Sequence, residues 1–307
     1  MRSPVLFLVF NRPERTAQVF AAIRAAKPPR LYVAADGTRP DRPGEAQRCE
    51  ETRRVATAVD WPCEVKTLFR EHNLGCKRAV AGALDWFFEC EEEGVILEDD
   101  CVPDLSFFRF CDDLLERYRT DERVALISGD NFQFGRVHGD SSYYFSRYAH
   151  IWGWASWRRT WRHYDRDIKS WPAFRDGGGL EKVFATSPRQ VGYWRRHLDA
   201  VHRGKIDTWD YQVNFMVWAQ RMMTVMPQKN LVRNIGFGTD ATHTTEPSKF
   251  ADMRAEQLDF PLRHPSSYDT CSIADDYTGE QMFSPPPFGA RVIRKLKSIW
   301  RHRQLHS

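Results

Sequence analysis

The segment that decides the fold is Val95-Ile96-Leu97-Glu98-Asp99-Asp100, in which a short apolar run ends at three consecutive acids. An apolar run of this length is typical of a strand buried on both faces, as at the centre of a parallel α/β sheet. Such sheets bind ligands outside the carboxyl ends of their strands, which is where Glu98, Asp99 and Asp100 would lie. The segment therefore predicts a fold class and the edge of the sheet that carries the chemistry.

The three acids also indicate a cation. Adjacent carboxylates repel one another unless a cation or strong hydrogen-bond donors offset their charge. Mg²⁺ or Mn²⁺, held by one or two carboxylates together with substrate phosphates, is the simplest explanation. The alternative is a solvated acidic junction between a strand and a loop, because acidic clusters are common on protein surfaces.

Strand and helix patterns alternate along roughly the first 130 residues. This alternation predicts a doubly wound, mostly parallel α/β sheet flanked by helices. The predicted strands are 5–10, 31–35, 65–69, 95–97 and 125–129, and the predicted helices are 14–26, 45–59, 77–91 and 107–118. Beyond residue 141 the alternation gives way to a segment rich in aromatic residues. Neither a dinucleotide-binding G-x-G-x-x-G motif nor a P-loop follows the first strand, where Asn11-Arg12-Pro13 stands.

Composition narrows the class of protein. The chain has 307 residues, of which 42% are apolar and 28% charged, and its net charge of +4 argues against a dedicated nucleic-acid binder. Its seven cysteines contain no C-x-x-C pair, which is typical of reduced thiols in a cytoplasmic protein. No stretch approaches the ~18–20 apolar residues of a spanning helix, so we expect a soluble or peripheral protein.

Three segments carry a resemblance to a known family. Residues 95–108 contain a Glu-Asp-Asp variant of the D-x-D motif followed by Pro-Asp-x-x-Phe-Phe, and residues 151–157 read Ile-Trp-Gly-Trp-Ala-Ser-Trp. Residues 230–238 form the third segment. Together they resemble the GT-A glycosyltransferases, specifically bacterial nucleotide-diphospho-sugar transferases sometimes labelled hemolytic-protein-like. The acidic motif is similar to that of the N-acetylglucosaminyltransferase I type, and the resemblance spans roughly residues 4–245.

The resemblance implies an organisation of the chain. A nucleotide-sugar-binding α/β half would occupy residues 1–135, and a mixed acceptor-binding and catalytic half of the same GT-A domain would occupy residues 136–288. Residues 289–307 form a separate basic segment with apolar residues at helical spacing, which is typical of an amphipathic helix lying on a membrane surface. Docking of that helix on its own domain is the alternative.

The resemblance also implies donor-side roles. Asp100 would bind the metal together with His243, while Asp99 would face the ribose or support the metal ligands. Glu98 would be a further metal ligand or would pair with a buried cation. Asp36, at the end of the second strand, would contact the nucleoside, unless it serves only as a turn-forming Asp-Gly.

Further positions extend this nucleotide-sugar site. Asn11 and Arg12 follow the first strand and are assigned to the nucleotide. Lys77 and Arg78 open a helix and would reach the diphosphate, although exposed Lys and Arg side chains are usually solvated.

Gly153 matches the glycine loop of GT-A sites, and Trp154 beside it would line the sugar. Trp152 and Trp209 are candidates for the same contact, because aromatic rings stack on the apolar faces of sugars. Core packing is the alternative for each of these tryptophans.

Reaction chemistry and the resemblance together single out Asp210. Inverting transfer needs a carboxylate on the acceptor side that takes the proton of the attacking hydroxyl. Asp210 matches the acid at the head of a helix in the GT-A pattern, although Trp209-Asp210 replaces the commoner Glu-Asp pair. Asp207 or Thr208 would cap that helix.

The sequence thus predicts a metal-dependent enzyme that moves a sugar from a nucleotide-diphosphate donor, with UDP-sugars expected, to a hydroxyl acceptor. The acceptor would be a glycan, a glycolipid or another hydroxyl compound, in surface glycan or glycolipid biosynthesis (polysaccharide biosynthesis), and transfer would be inverting. The enzyme would be cytoplasmic or peripheral at the inner membrane face. The alternatives are a sugar nucleotidyltransferase and a non-catalytic sugar-binding module on the same fold.

Overall fold

The structure is a computed structural model that describes residues 1–185, 187–237 and 250–283. The described residues form ten strands and ten helices. The strands are β1 (Val5–Val9), β2 (Arg30–Ala35), β3 (Glu64–Phe69), β4 (Glu93–Glu98), β5 (Cys101–Pro103), β6 (Val124–Ser128), β7 (Tyr143–Ser146), β8 (Trp154–Trp157), β9 (Met223–Pro227) and β10 (Val232–Asn234). The helices are α1 (Pro13–Ala26), α2 (Glu45–Ala56), α3 (Cys76–Cys90), α4 (Leu105–Arg117), α5 (Arg158–Trp161), α6 (Trp171–Asp176), α7 (Gly179–Val183), α8 (Pro188–His202), α9 (Asp210–Ala219) and α10 (Ser272–Met282). In these ranges, no helix combines the length and the apolar content that crossing a bilayer requires.

One sheet of eight strands organises the molecule, in the order β3-β2-β1-β4-β8-β6-β9-β7. Strands β8 and β7 run antiparallel to their neighbours, and the other six run in one direction. A second sheet contains the short antiparallel pair β10-β5. The predicted fold class, an α/β protein with a large, mostly parallel central sheet flanked by helices, is confirmed.

Strand β1 shows why the central strands are uniformly apolar. All five of its side chains are buried. Val5, Phe7 and Val9 pack into the core on the face covered by α1 and α4, whereas Leu6 and Leu8 pack into the core on the face of α3, α8 and α9. Since successive side chains point to opposite faces, a strand covered on both sides needs an apolar residue at each position.

Strand β4 lies between β1 and β8 and ends at Glu98, one residue beyond the predicted end. Val95, Ile96 and Leu97 have no exposed surface. Asp99 follows at the carboxyl edge of the sheet. The five strands predicted from alternation are all present with bounds shifted by at most two residues, and β5, directly after the acids, was missed.

The aromatic segment contributes the antiparallel strand β8, which inserts between β4 and β6. Most of its tryptophans and those of the following helices lie in the core, as the packing alternative predicts. The buried ones are Trp154, Trp157, Trp161, Trp171, Trp194, Trp209 and Trp218. Since the sheet takes strands from both predicted halves, the two halves share their cores, and the boundary at residue 135 stays a prediction.

Two predicted features lie outside the described residues: His243 and the basic segment 289–307. At the far end of the sheet, the described helix α10 covers strand β7. Its buried Asp275 accepts hydrogen bonds from Ser146 Oγ at 2.5 Å and from Arg147 Nε at 3.0 Å. This buried ion pair joins the last described helix to the edge of the sheet.

Candidate active site

A pocket of about 840 Å³ opens at the carboxyl ends of β1, β2 and β4, between the first residues of α3 and α9. It brings together nine of the predicted site residues. They are Asn11, Arg12, Asp36, Glu98, Asp99, Asp100, Trp152, Trp209 and Asp210. The pocket lies where open α/β sheets bind their ligands.

The acidic trio, defined as Glu98, Asp99 and Asp100, lines this pocket, and the guanidinium of Arg12 lies beside it. Arg12 Nη1 lies 3.5 Å from Asp99 Oδ1 and 3.3 Å from Asp100 Oδ2. The backbone N–H of Phe10 donates to Asp99 Oδ2 at 3.3 Å. The three carboxylates thus lie close to Arg12, which follows strand β1.

Burial and mutual repulsion both act on the trio. The pKa of Glu98 is raised well above its usual range, first by burial and then by the charges of Asp100, Asp99 and Asp210. Burial and the Asp100 charge raise the pKa of Asp99 to about 7, against the opposing effect of Arg12. Arg12 therefore offsets only part of the repulsion among the three carboxylates.

The antiparallel strand pair β5-β10 holds Asp100 in place. Asn234 pairs with Cys101, and the backbone N–H of Ile235 donates to the carbonyl of Asp100 at 2.8 Å. A Cβ atom on Gly236 would overlap the Asp100 carboxylate. Gly236 is thus the residue of the segment 230–238 that leaves room for Asp100.

Asp36 organises the loop that precedes α3. Its carboxylate accepts hydrogen bonds from the backbone N–H groups of Gly37, Leu74 and Gly75, at distances of 2.9 to 3.1 Å. The structural role of Asp36 extends beyond the predicted Asp-Gly turn, because its carboxylate joins the end of β2 to the start of α3. The side chain also lines the pocket, and its contact with a nucleoside stays a prediction.

A buried carboxylate that sequence analysis missed lies behind Asn11. The side chain of Glu45, at the first residue of α2, accepts hydrogen bonds from Asn11 Nδ2 at 2.9 Å and from Arg39 N at 2.8 Å, and forms an ion pair with the Arg39 guanidinium. The Arg39 hydrogen bond lowers the pKa of Glu45, so this carboxylate is charged. Arg39 also lies over the Phe10 ring and lines the pocket.

Asp210 is the first residue of α9. Its Oδ1 accepts hydrogen bonds from the N–H of Tyr211 at 2.8 Å and from the hydroxyl of Thr208. Among the described residues, Oδ2 accepts no hydrogen bond. The helix begins after Trp209 without a side-chain cap, so the prediction that Asp207 or Thr208 caps it was wrong. Thr208 orients the Asp210 carboxylate instead.

Four predicted site residues lie outside the pocket lining. Lys77 forms an ion pair with Asp167 at 3.1 Å, and Arg78 is exposed on α3. Gly153 adopts a φ of +73° beneath β10, where a Cβ would lie 2.8 Å from Val232 Cγ2. Trp154 is buried and its ring stacks on that of Trp209.

The predicted metal set is only partly described, because His243 is outside the described ranges. Within those ranges, no three His, Cys, Asp or Glu side chains are arranged as a metal centre. A cation held by one or two carboxylates and completed by phosphate oxygens needs no such set. The uncompensated charge of the trio fits a hard divalent cation.

Several pocket residues were missed by sequence analysis. The pocket lining also includes Arg70 directly after β3, Asn73 in the loop before α3, His197 on α8 and Tyr211 on α9. Sequence analysis could have identified Tyr211, because it directly follows Asp210 in the sequence. Nothing in the local pattern around His197 distinguishes it from a histidine on the surface of a helix.

The fold and the pocket define an α/β protein with an acidic pocket at the carboxyl edge of its sheet. No protein-family model matches the chain, and no curated protein matches it. TarS 1–349 from S. aureus is 11% identical with a TM-score of 0.40, and the match covers 76% of this chain and 59% of TarS. The mannose-1-phosphate geranyltransferase from Thermus thermophilus is 15% identical with a TM-score of 0.36, covering 74% and 75%. An apo UDP-glucose pyrophosphorylase is 10% identical with a TM-score of 0.39, covering 74% and 90%. These values are too low to assign an activity to this chain.

Proposed function

We propose that the protein is a metal-dependent glycosyltransferase that uses a nucleotide-diphosphate sugar, with a UDP-sugar as the expected donor. The observation that carries the proposal is the pairing of two separate acidic groups in one pocket. The acidic trio lies at the end of β4, and Asp210 lies at the start of α9. Metal-dependent, inverting sugar transfer uses both a cation site for the leaving diphosphate and a separate carboxylate for the attacking hydroxyl.

The trio forms the donor side. Asp100 and Glu98 would hold Mn²⁺ or Mg²⁺, with Asp99 and Arg12 beside them and His243 as the further predicted ligand. The cation, when bound, neutralises charge on the leaving diphosphate. Asp36, Asn11 and Arg12 would contact the nucleotide from the ends of β2 and β1.

Asp210 is the proposed base. Its Oδ1 is held by Tyr211 and Thr208, so Oδ2 is oriented and available to accept a hydrogen bond. The acceptor hydroxyl gives its proton to Oδ2 while its oxygen bonds to the anomeric carbon. The bond from that carbon to the diphosphate oxygen breaks, and the nucleotide leaves with the electron pair. Attack opposite to the leaving group would invert the anomeric configuration.

Two variants separate the two sides of the pocket. Asp100→Ala should abolish UDP binding that depends on Mn²⁺, measured by calorimetry with and without the metal. Asp210→Asn should leave that binding intact and lower sugar transfer by at least the ~10²–10⁴-fold contributed by a general base. The matched control is Asp259→Ala, which removes an exposed carboxylate that pairs with Lys229 at 3.4 Å, outside the pocket lining.

The products distinguish the alternatives. Release of UDP together with a glycosylated acceptor supports the proposal, whereas release of pyrophosphate from a nucleoside triphosphate and a sugar phosphate would indicate a nucleotidyltransferase. Wild-type protein that binds no UDP, GDP or dTDP in either metal condition would overturn the proposal. Full turnover in Asp210→Asn would remove that residue from the mechanism.

A further inference from the structure

The pocket wall beside Asp210 contains an aromatic pair that the proposed reaction does not use. His197 on α8 and Tyr211 on α9 both line the pocket and are half-buried. Their rings are stacked, with centroids 5.2 Å apart and an interplanar angle of 17°. The ring of Tyr193, one turn earlier on α8, lies 4.0 Å from the His197 ring, centroid to centroid. Two tyrosines therefore fix the orientation of the imidazole.

One hydrogen bond decides the tautomer of His197. Its Nδ1 lies 2.8 Å from the backbone carbonyl oxygen of Tyr193. A carbonyl oxygen only accepts, so Nδ1 carries the hydrogen, and Nε2 of the neutral ring keeps a free lone pair. Within the described part of the chain, Nε2 makes no hydrogen bond. The wall thus presents one oriented hydrogen-bond acceptor to the pocket.

Asp210 presents a second acceptor to the same pocket. Tyr211 links the two groups, because its ring stacks on His197 and its backbone N–H holds Asp210 Oδ1 at 2.8 Å. Burial and the nearby Tyr193 and Asp210 raise the pKa of Tyr211, so its hydroxyl is neutral. The hydroxyls of Tyr193 and Tyr211 lie 3.3 Å apart, so one of them donates to the other. Among the described residues no donor occupies Asp210 Oδ2 or His197 Nε2, so both lone pairs are left for a ligand.

We propose that His197 and Asp210 form an acceptor subsite for a sugar or another polyol, with one hydroxyl donating to Asp210 Oδ2 and a second to His197 Nε2. This inference rests on the proposed function, which assigns the reacting hydroxyl to Asp210. Two lone-pair acceptors select hydroxyl donors and disfavour phosphate or carboxylate groups. The reacting end of the acceptor is accordingly a neutral polyol, and His197 is a specificity-determining residue.

The test measures binding of acceptor and nucleotide separately. The probes are the methyl glycosides of glucose, galactose and mannose, titrated by NMR into full-length protein saturated with UDP and Mn²⁺. His197→Phe keeps a ring of similar size for both tyrosine contacts but lacks the nitrogen. Its affinity for the best glycoside should fall on the order of tenfold, the effect of one lost hydrogen bond, while UDP affinity is unchanged.

Two further variants sharpen the test. His197→Gln, whose amide oxygen can take the place of Nε2, should recover part of the glycoside affinity. His202→Gln removes an exposed histidine at the end of the same helix, outside the pocket lining, and should bind like the wild type. Monodeoxy glycosides locate the second hydroxyl: one of them should bind weakly to the wild type and equally weakly to His197→Phe.

The outcomes separate this inference from the proposed function. Unchanged glycoside affinity in His197→Phe, or an equal loss of UDP affinity, would overturn the subsite. Wild-type protein that binds UDP but none of the glycosides would also overturn it and would leave the nucleotide site standing. Wild-type protein that binds no nucleotide would overturn the proposed function, and the subsite with it.

Discussion

Asp130, two residues beyond β6, is a carboxyl group buried without a regular hydrogen bond. Its side chain is 1% exposed, and neither oxygen has a partner of hydrogen-bonding geometry among the described residues. Burial raises its pKa well above the usual range, and the backbone amides of Asp130 and Trp152 oppose that shift only in part. The folded protein therefore holds this carboxyl in its neutral form.

This residue predicts how stability depends on pH. In the unfolded chain Asp130 ionises near a pKa of about 3.9, whereas the folded carboxyl keeps its proton to higher pH. Above that value the folded state binds more protons, so its stability falls by about 1.4 kcal/mol per pH unit until the folded pKa is reached. Asp130→Asn has no such proton. In urea unfolding at pH 5 and pH 7, the free energy of unfolding of Asp130→Asn should rise relative to that of the wild type as the pH rises.

The matched control is Asp140→Asn, which changes an exposed aspartate. Its free energy of unfolding should follow the wild type at both pH values. Parallel pH curves for Asp130→Asn and the wild type would show that Asp130 ionises normally in the folded protein.

At the scale of elements, two helix glycines differ in what surrounds them. A Cβ on Gly192, within α8, would meet nothing within 4 Å. A Cβ on Gly279, within α10, would overlap the side chain of Gln190 on α8. Gln190 is buried and accepts a hydrogen bond from Tyr148, so it has little freedom to move aside. Gly279 is thus the point where α10 packs closely on α8.

The same substitution should therefore have opposite effects at these two sites. Gly192→Ala should raise the free energy of unfolding by about 0.5–1 kcal/mol, because alanine loses less backbone entropy in a helix. Gly279→Ala should lower it by about 1–3 kcal/mol, the usual effect of overpacking. Thermal unfolding of both variants measures the difference. A gain in stability for Gly279→Ala would mean that α10 does not pack on Gln190 in solution.

The elements also show which features a sequence can predict. Strands β1, β2 and β4 were found because a strand buried on both faces is apolar at every position, which is a local signal. Strands β5 and β10 have three residues each and exist only because they pair across more than a hundred residues. Periodicity over so few residues carries no signal.

The features of the candidate site can also be divided into those that local sequence predicts and those that depend on tertiary packing. Asp36, Glu98 and Asp210 could be located because each lies next to the end of a strand or the start of a helix. The pairing of Glu45 with Arg39, and the approach of His197 to Tyr211, depend on the packing of separate elements. Such contacts form only in the tertiary structure, so no residue spacing in the sequence predicts them.

At the scale of the whole molecule, the central sheet makes the two predicted halves depend on each other. Strand β4 pairs with β1 on one side and with β8 on the other. Strand β6, in the first half, pairs only with β8 and β9 among the described strands, and both belong to the second half. The core around Leu6 and Leu8 is completed by tryptophans of α8 and α9.

A fragment of residues 1–135 should therefore fail to fold alone. It would expose one edge of β4, leave β6 unpaired and lose both the β5-β10 pair and the helix that begins at Asp210. We expect the fragment to lack a cooperative thermal transition by circular dichroism and to bind no UDP with Mn²⁺. The full chain, measured under the same conditions, should unfold in one transition, because both cores contain residues from both halves. A fragment that melts cooperatively and binds UDP would mean that the first half is a domain in its own right, and that the shared sheet contributes little to forming the nucleotide site.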